Sequence, residues 1–131
     1  MTVDDDIARI RRGYAAWNSG DVDQLVETVG DDIEVRPVLG EGVSADTFTG
    51  KEGIRRWYEA VHGSLVDFTA ELLDLEEVGP GRYLAMLRFS GRGAASGAAV
   101  TLDAAHLLTI RDGLLVRLVG YESWDEARRA F

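Results

Sequence analysis

The sequence predicts an α+β fold: a curved antiparallel sheet wrapped like a cone around three N-terminal helices, with a short helix closing the chain. Three observations lead there. Apolar residues of the first half recur at three- and four-residue intervals, those of the second half alternate, and the period changes once, near Val66. Helices gathered ahead of strands form an α+β layout, in which the helices must cover one face of the sheet. At 131 residues, with 46% hydrophobic and 28% charged, the chain has the length and composition of one ordinary globular domain, residues 1–131.

Ile7, Ile10, Tyr14 and Trp17 fall on one face of a first helix, with Asp4, Asp5 and Asp6 at its positive end and "NSG" at 18–20 stopping it. Asp21 caps a short second helix whose Val22, Leu25, Val26 and Val29 form an apolar stripe, closed by Gly30. In "DIEVRP", Ile33 and Val35 alternate with Glu34 and Arg36, a half-buried strand that Pro37 ends or sets at an edge. Residues 39–50 have loop composition. "TGKE" at 49–52 is a capping box opening a third helix, which turns Ile54, Trp57, Tyr58 and Val61 inward.

Val66, Phe68, Ala70 and Leu72 alternate in one phase, and Leu73 and Leu75 in the other. A flip of one residue is what a β-bulge produces, so this strand is expected to bend. "GPG" at 79–81 turns the chain into the β-prone "RYLAMLRFSG", "RGAASGAA" connects that to "VTLDAAHLLTI", and "RDG" signals a hairpin into "LLVRLVGYE". The sheet should therefore hold four or five antiparallel strands. Ser123 to Glu126 is a second capping box, at the start of the terminal helix.

Composition narrows the functions. Zero cysteines remove a disulfide framework, a thiolate metal site and a cysteine nucleophile together. No His/Asp/Glu cluster has metal-ligand spacing, so neither a metal nor a cofactor is expected. A net charge of −9 and a pI near 4.6 repel phosphate, which disfavours nucleic acid and anionic membrane as partners. With no bilayer-length apolar run and no secretory pattern, a cytoplasmic location is the expectation.

"YAAWNSGDVDQLVETVGDDIEV", the capped helix carrying "WY", and "AHLLTIRDGLLVRLVGY" resemble the SnoaL-like group of the nuclear transport factor 2-like superfamily, over nearly the whole chain. The resemblance implies a bulged sheet around one deep apolar pocket and a homodimer formed through the sheet's outer face. That superfamily includes polyketide cyclases, ketosteroid isomerases and limonene-epoxide hydrolases beside members that only bind, so fold does not fix function. Against the isomerase pattern, Arg36 or Pro37 stands where the general base would be, and Gly13 where a helix tyrosine would be, with Tyr14 one position on. The aspartate that cyclases and epoxide hydrolases place on the last strand falls at Gly120. His106 stands where the resemblance places a pocket histidine, and where isomerases carry a proton donor.

Strand alternation points the same way. Ala104, His106, Leu108 and Ile110 share one face, as do Val116, Leu118, Gly120 and Glu122 on the next strand; if the aliphatic members face the cone, His106 and Gly120 do too. A neutral, hydrogen-bonded imidazole is inexpensive to bury and exchanges protons near physiological pH. His106 is thus the first catalytic candidate, its alternative being a satisfied core residue. Arg88 is the second. It shares parity with Leu84 and Met86 against Tyr83, Ala85, Leu87 and Phe89, and either row can be the inner one. Inside, its guanidinium would need an anionic oxygen; outside, it would pair with a carboxylate. Tyr58 is the third, matching the tyrosine that supports the isomerase pocket in the resemblance.

Tyr14, Trp17 and Trp57 from the helices, and Met86, Leu108, Leu118, Gly120 and Glu122 from the strands, complete the expected pocket. Glu122 is a possible partner for His106 or Arg88, or a surface residue. The aromatic residues suit a planar or terpenoid ligand and an ordinary core equally. Leu107, Thr109, Leu115 and Val119 form an outer face too apolar for water, which a second copy is expected to cover. Two functions remain. One is a cofactor-independent cyclase, isomerase or hydrolase for a small, mostly apolar oxygenated molecule, with His106 shuttling a proton and Arg88 or Tyr58 stabilising an oxyanion. The other is a binding protein in which His106 only orients such a ligand.

Overall fold

Thr2 fixes where the first helix begins. In the computed structural model, which describes residues 2–37 and 47–130, its side chain accepts the Asp5 amide while the Asp5 carboxylate accepts the Thr2 amide, a capping box that starts α1 (Val3–Ser19). Gly20 ends the helix at φ 79°, a left-handed conformation that costs glycine little. Asp21 then caps α2 (Val22–Glu27) through the Gln24 amide. Its end comes earlier than the Gly30 expected: Thr28 is the C-cap, and Val29 already belongs to β1 (Val29–Arg36), paired with Leu115.

The expected loop at 39–50 lies mostly outside the described residues. Its end is ordered differently, as β2 (Phe48–Thr49) and the first residue of α3 (Gly50–Ser64). The capping box expected at 49–52 does not form, since Thr49 makes no side-chain cap bond. Lys51 is engaged instead at the carbonyls of Val26 and Val29, 2.8 Å from each, where the end of α2 presents partial negative charge. Ile54, Trp57 and Val61 are buried as their spacing requires, and Tyr58 is half-buried.

The remaining strands are β3 (Leu65–Gly79), β4 (Arg82–Gly93), β5 (Ala99–Arg111) and β6 (Leu114–Tyr121), followed by α4 (Trp124–Arg128). The phase flip is a bulge: Leu72 pairs with Leu87 and Asp74 with Met86, leaving Leu73 as the extra residue. Asp112 at φ 53° and Gly113 at φ 77° form the two-residue turn between β5 and β6. Ser123 caps α4 through the Glu126 amide.

The sheet has six strands in the order β2-β1-β6-β5-β4-β3. It is not wholly antiparallel, because β1 and β6 run in the same direction. The length of chain between them, with α3 and four strands, permits a parallel pairing that a hairpin cannot make.

Helices α1 to α3 cover one face. Ile10, Trp17, Ile54, Trp57 and Val61 meet Ile33, Val35, Phe68, Tyr83, Leu87 and Leu108 there. Asn18 fastens α1 to β3 by bonding both the N–H and the carbonyl of Ala70, and the Tyr83 hydroxyl donates to Asp6 Oδ2 at 2.7 Å to fasten it to β4. On the opposite face α4 folds back, so that Ala127 and Trp124 cover Leu84, Met86 and Ala105. Among the described residues no helix is long and apolar enough to cross a membrane.

Candidate functional site

β5 presents Ala104, His106, Leu108 and Ile110 to the helices, as its alternation requires. His106 has small neighbours on both sides, Ala85 on β4 and Gly120 on β6. That gap admits Tyr14 from α1. The Tyr14 hydroxyl lies 2.7 Å from His106 Nδ1, and the two rings are 5.9 Å apart and nearly parallel at 21°. Trp57 and Phe89 stand tilted around the imidazole with centroids at 6.3 and 5.8 Å. His106 is only 3% exposed.

These residues line a cavity between the helices and the sheet. The space in it that a water centre can occupy is about 70 Å³, against roughly 10–15 Å³ needed for one water. Trp17, Phe68, Leu108, Leu115 and Leu118 make much of its apolar wall; Arg9 and Pro37 also reach it.

Burial dominates the electrostatics. It holds the His106 pKa down to about 3 and pushes the Tyr14 phenol far above its usual range, so both groups are neutral at physiological pH. A neutral imidazole takes the Tyr14 proton at Nδ1 and keeps a proton on Nε2, or it donates from Nδ1 and leaves the Tyr14 hydroxyl free to donate. Either arrangement leaves the pair with one spare donor. Trp17 Nε1, another donor in the same wall, is buried without a hydrogen-bond partner among the described residues. No carboxylate lines the cavity among the described residues, so nothing there offsets the charge of an imidazolium. Nor does any group of three His, Asp or Glu able to hold a metal occur among them.

Several expected site residues lie elsewhere. Arg88 faces away from the helices and pairs with Asp103, its neighbour in register on β5, at 3.0 Å with both side chains exposed. The inner row of β4 is Tyr83, Ala85, Leu87 and Phe89, which puts Met86 outside as well, under α4. Tyr58 is not in the cavity wall; it stacks on His62 at 3.9 Å and meets the edge of Trp17. Glu122 is exposed beyond the end of β6, beside Asp103 and Asp125. Gly120 is half-buried opposite His106 but does not itself line the cavity. Tyr14, Trp17, Trp57, His106, Leu108 and Leu118 do line it.

Leu115 also lines it, although alternation put this residue on the outer face and Val116 inside. Thr109 pairs with Arg117 but Ile110 with Leu115, so Val116 is an extra residue and the phase reverses. Arg9 was not among the sequence candidates. Its place eight residues before Trp17, with Gly13 midway on the same row of α1, was the available signal.

A family model described as the SnoaL-like domain matches residues 10–118. Among solved structures, TerC crystallised with polyporic acid is similar at a TM-score of 0.81 and 21% identity, covering 95% of this chain and 96% of that one. An NTF2-like protein of unknown function from Burkholderia pseudomallei gives 0.80 at 16% identity, with 98% and 97% covered. A provisionally named polyketide cyclase from Sinorhizobium meliloti gives 0.69 at 27% identity, with 87% and 94% covered. These are likenesses of fold. No curated protein matches the chain in sequence.

Proposed function

The chain belongs to the SnoaL-like domain family, and from that premise we propose that its cavity takes up a small, mostly apolar molecule bearing an oxygen function, held by a hydrogen bond from the Tyr14–His106 pair. The observation that carries this is the 2.7 Å contact of a phenol with an imidazole in a largely hydrocarbon and aromatic wall. A few fixed polar groups in an apolar cavity orient a ligand, because a buried polar group left unpaired costs about 1–3 kcal/mol.

The same contact supports an enzymatic reading. A neutral donor pair in a dry site polarises a ligand carbonyl, and a phenol beside an imidazole can relay a proton, as a cofactor-independent isomerase, cyclase or hydrolase requires. The low basicity of His106 favours polarisation over proton abstraction. A cytoplasmic homodimer is part of the same proposal, the location from composition and the assembly from the family resemblance.

Titration with cyclic ketones and phenols, followed through the His106 ring signals by NMR, tests the reading. Binding should move those signals in the wild type, and Tyr14→Phe should weaken it about tenfold, as loss of one buried hydrogen bond does. Ligands that bind without moving the His106 signals would refute it.

A further inference from the structure

Arg9, Gly13, Tyr14 and Trp17 follow one another along the cavity side of α1. Five residues separate Arg9 from Tyr14, about 7.5 Å along the helix axis. Arg9 is half-buried, so it reaches both the cavity and solvent. Arg36, Arg55, Arg88, Arg92 and Arg128 each pair with a carboxylate. Arg9 has no such partner among the described residues. Of the two acids one turn before it, Asp5 is committed to the Thr2 cap, whereas Asp6 accepts from the Tyr83 hydroxyl through Oδ2 and keeps Oδ1 buried without a partner among the described residues, outside the cavity wall.

The other uncommitted polar groups of the wall are donors too. Trp17 Nε1 is buried without an acceptor among the described residues, and the Tyr14–His106 pair holds one spare proton in either tautomer. Buried donors are matched by acceptors in nearly every folded protein, and here the acceptors must come from whatever occupies the space. An amine or other cation would leave these donors unpaired and be repelled by Arg9. A carboxylate would be met by the guanidinium in a charge-assisted hydrogen bond. The overall charge of −9 opposes an anion at long range, and an arginine at the cavity with no ion pair among the described residues offsets that locally.

Building on the binding role proposed above, we propose that the ligand is a small organic monoanion: its carboxylate or acidic enol oxygen lies at Arg9, its ring lies against Trp17 and Trp57, and a second, neutral oxygen lies at Tyr14–His106. One six-membered ring carrying para substituents spans a comparable distance. Arg9 is the residue that selects for charge.

The test is calorimetric titration of 4-hydroxybenzoate and its neutral analogue 4-hydroxybenzamide into wild type, Arg9→Gln and Arg9→Lys. The wild type should prefer the anion by roughly tenfold or more. Arg9→Gln should abolish the preference by weakening benzoate binding far more than amide binding, and Arg9→Lys should retain part of it. Equal binding of both probes by the wild type, or a preference that survives in Arg9→Gln, would overturn the anion assignment and leave the cavity's binding role standing. Failure of both probes to bind wild type would overturn that role as well.

Discussion

His106 and Gly120 stand directly opposite each other across β5 and β6. Opposed residues of an antiparallel pair project to the same face, with Cβ atoms about 5 Å apart. Gly120→Asp should therefore set a carboxylate beside the imidazole. An opposite charge favours the protonated ring, so the His106 pKa should rise from about 3 by roughly one unit or more. NMR titration of both proteins reads this directly, and identical curves would show that position 120 does not share the surroundings of His106.

Burial of neutral His106 should also set a pH dependence of stability. The folded pKa is about 3 against about 6.5 for an unperturbed histidine. Below the latter value the unfolded chain binds a proton that the folded chain refuses, so stability is complete above pH 6.5 and falls as pH drops towards 3. The slope approaches about 1.4 kcal/mol per unit, or about 2 kcal/mol between pH 7 and 5. Urea unfolding of wild type and His106→Gln at several pH values isolates the contribution as a difference in slope. Parallel slopes would mean that His106 is not held neutral.

Arg88→Ala should change little. An exposed ion pair such as that with Asp103 contributes about 0–1 kcal/mol, and ligand affinity should stay within about twofold of wild type because the side chain lies across the sheet from the cavity. A large loss of affinity with stability intact would return Arg88 to the site.

The expected homodimer has a smaller apolar face available than alternation suggested. Leu115 turns inward at the Val116 bulge, and α4 covers Leu84 and Met86. Leu107 is itself already buried, so half-buried Thr109 and Val119 are what remains of that row for a second copy. Light scattering at micromolar concentration should give twice the 14.3 kDa of one chain; a monomer would remove the dimer.

The features legible in the sequence were those that local chemistry decides. The Leu73 bulge showed as a change of phase, the Asp112–Gly113 turn by its residue types, and the inward direction of His106 by alternation on a single strand. The misread features depend on distant parts of the chain. Both rows of β4 are apolar because α4 returns over the outer one, so parity alone did not separate Met86 and Arg88 from Leu87. The Val116 bulge lies in an aliphatic run with no visible change of phase. Thr49 lost its cap to a different arrangement, with Lys51 bound to carbonyls of α2 and β1. The Tyr14–His106 contact joins residues 92 apart, and only the docking of α1 on β5 brings them together.

Trp17 and Trp57 stand with ring centroids 4.6 Å apart in the cavity wall, whereas Trp124 donates its indole N–H to Ala104 beneath α4. Two indoles at that separation couple their electronic transitions, which makes the near-ultraviolet circular dichroism of the pair sensitive to their mutual angle. A guest lodging against them would alter that signal while Trp124, on the other side of the sheet, served as an internal reference. The molecule thus carries its own optical gauge of occupancy, readable without a label.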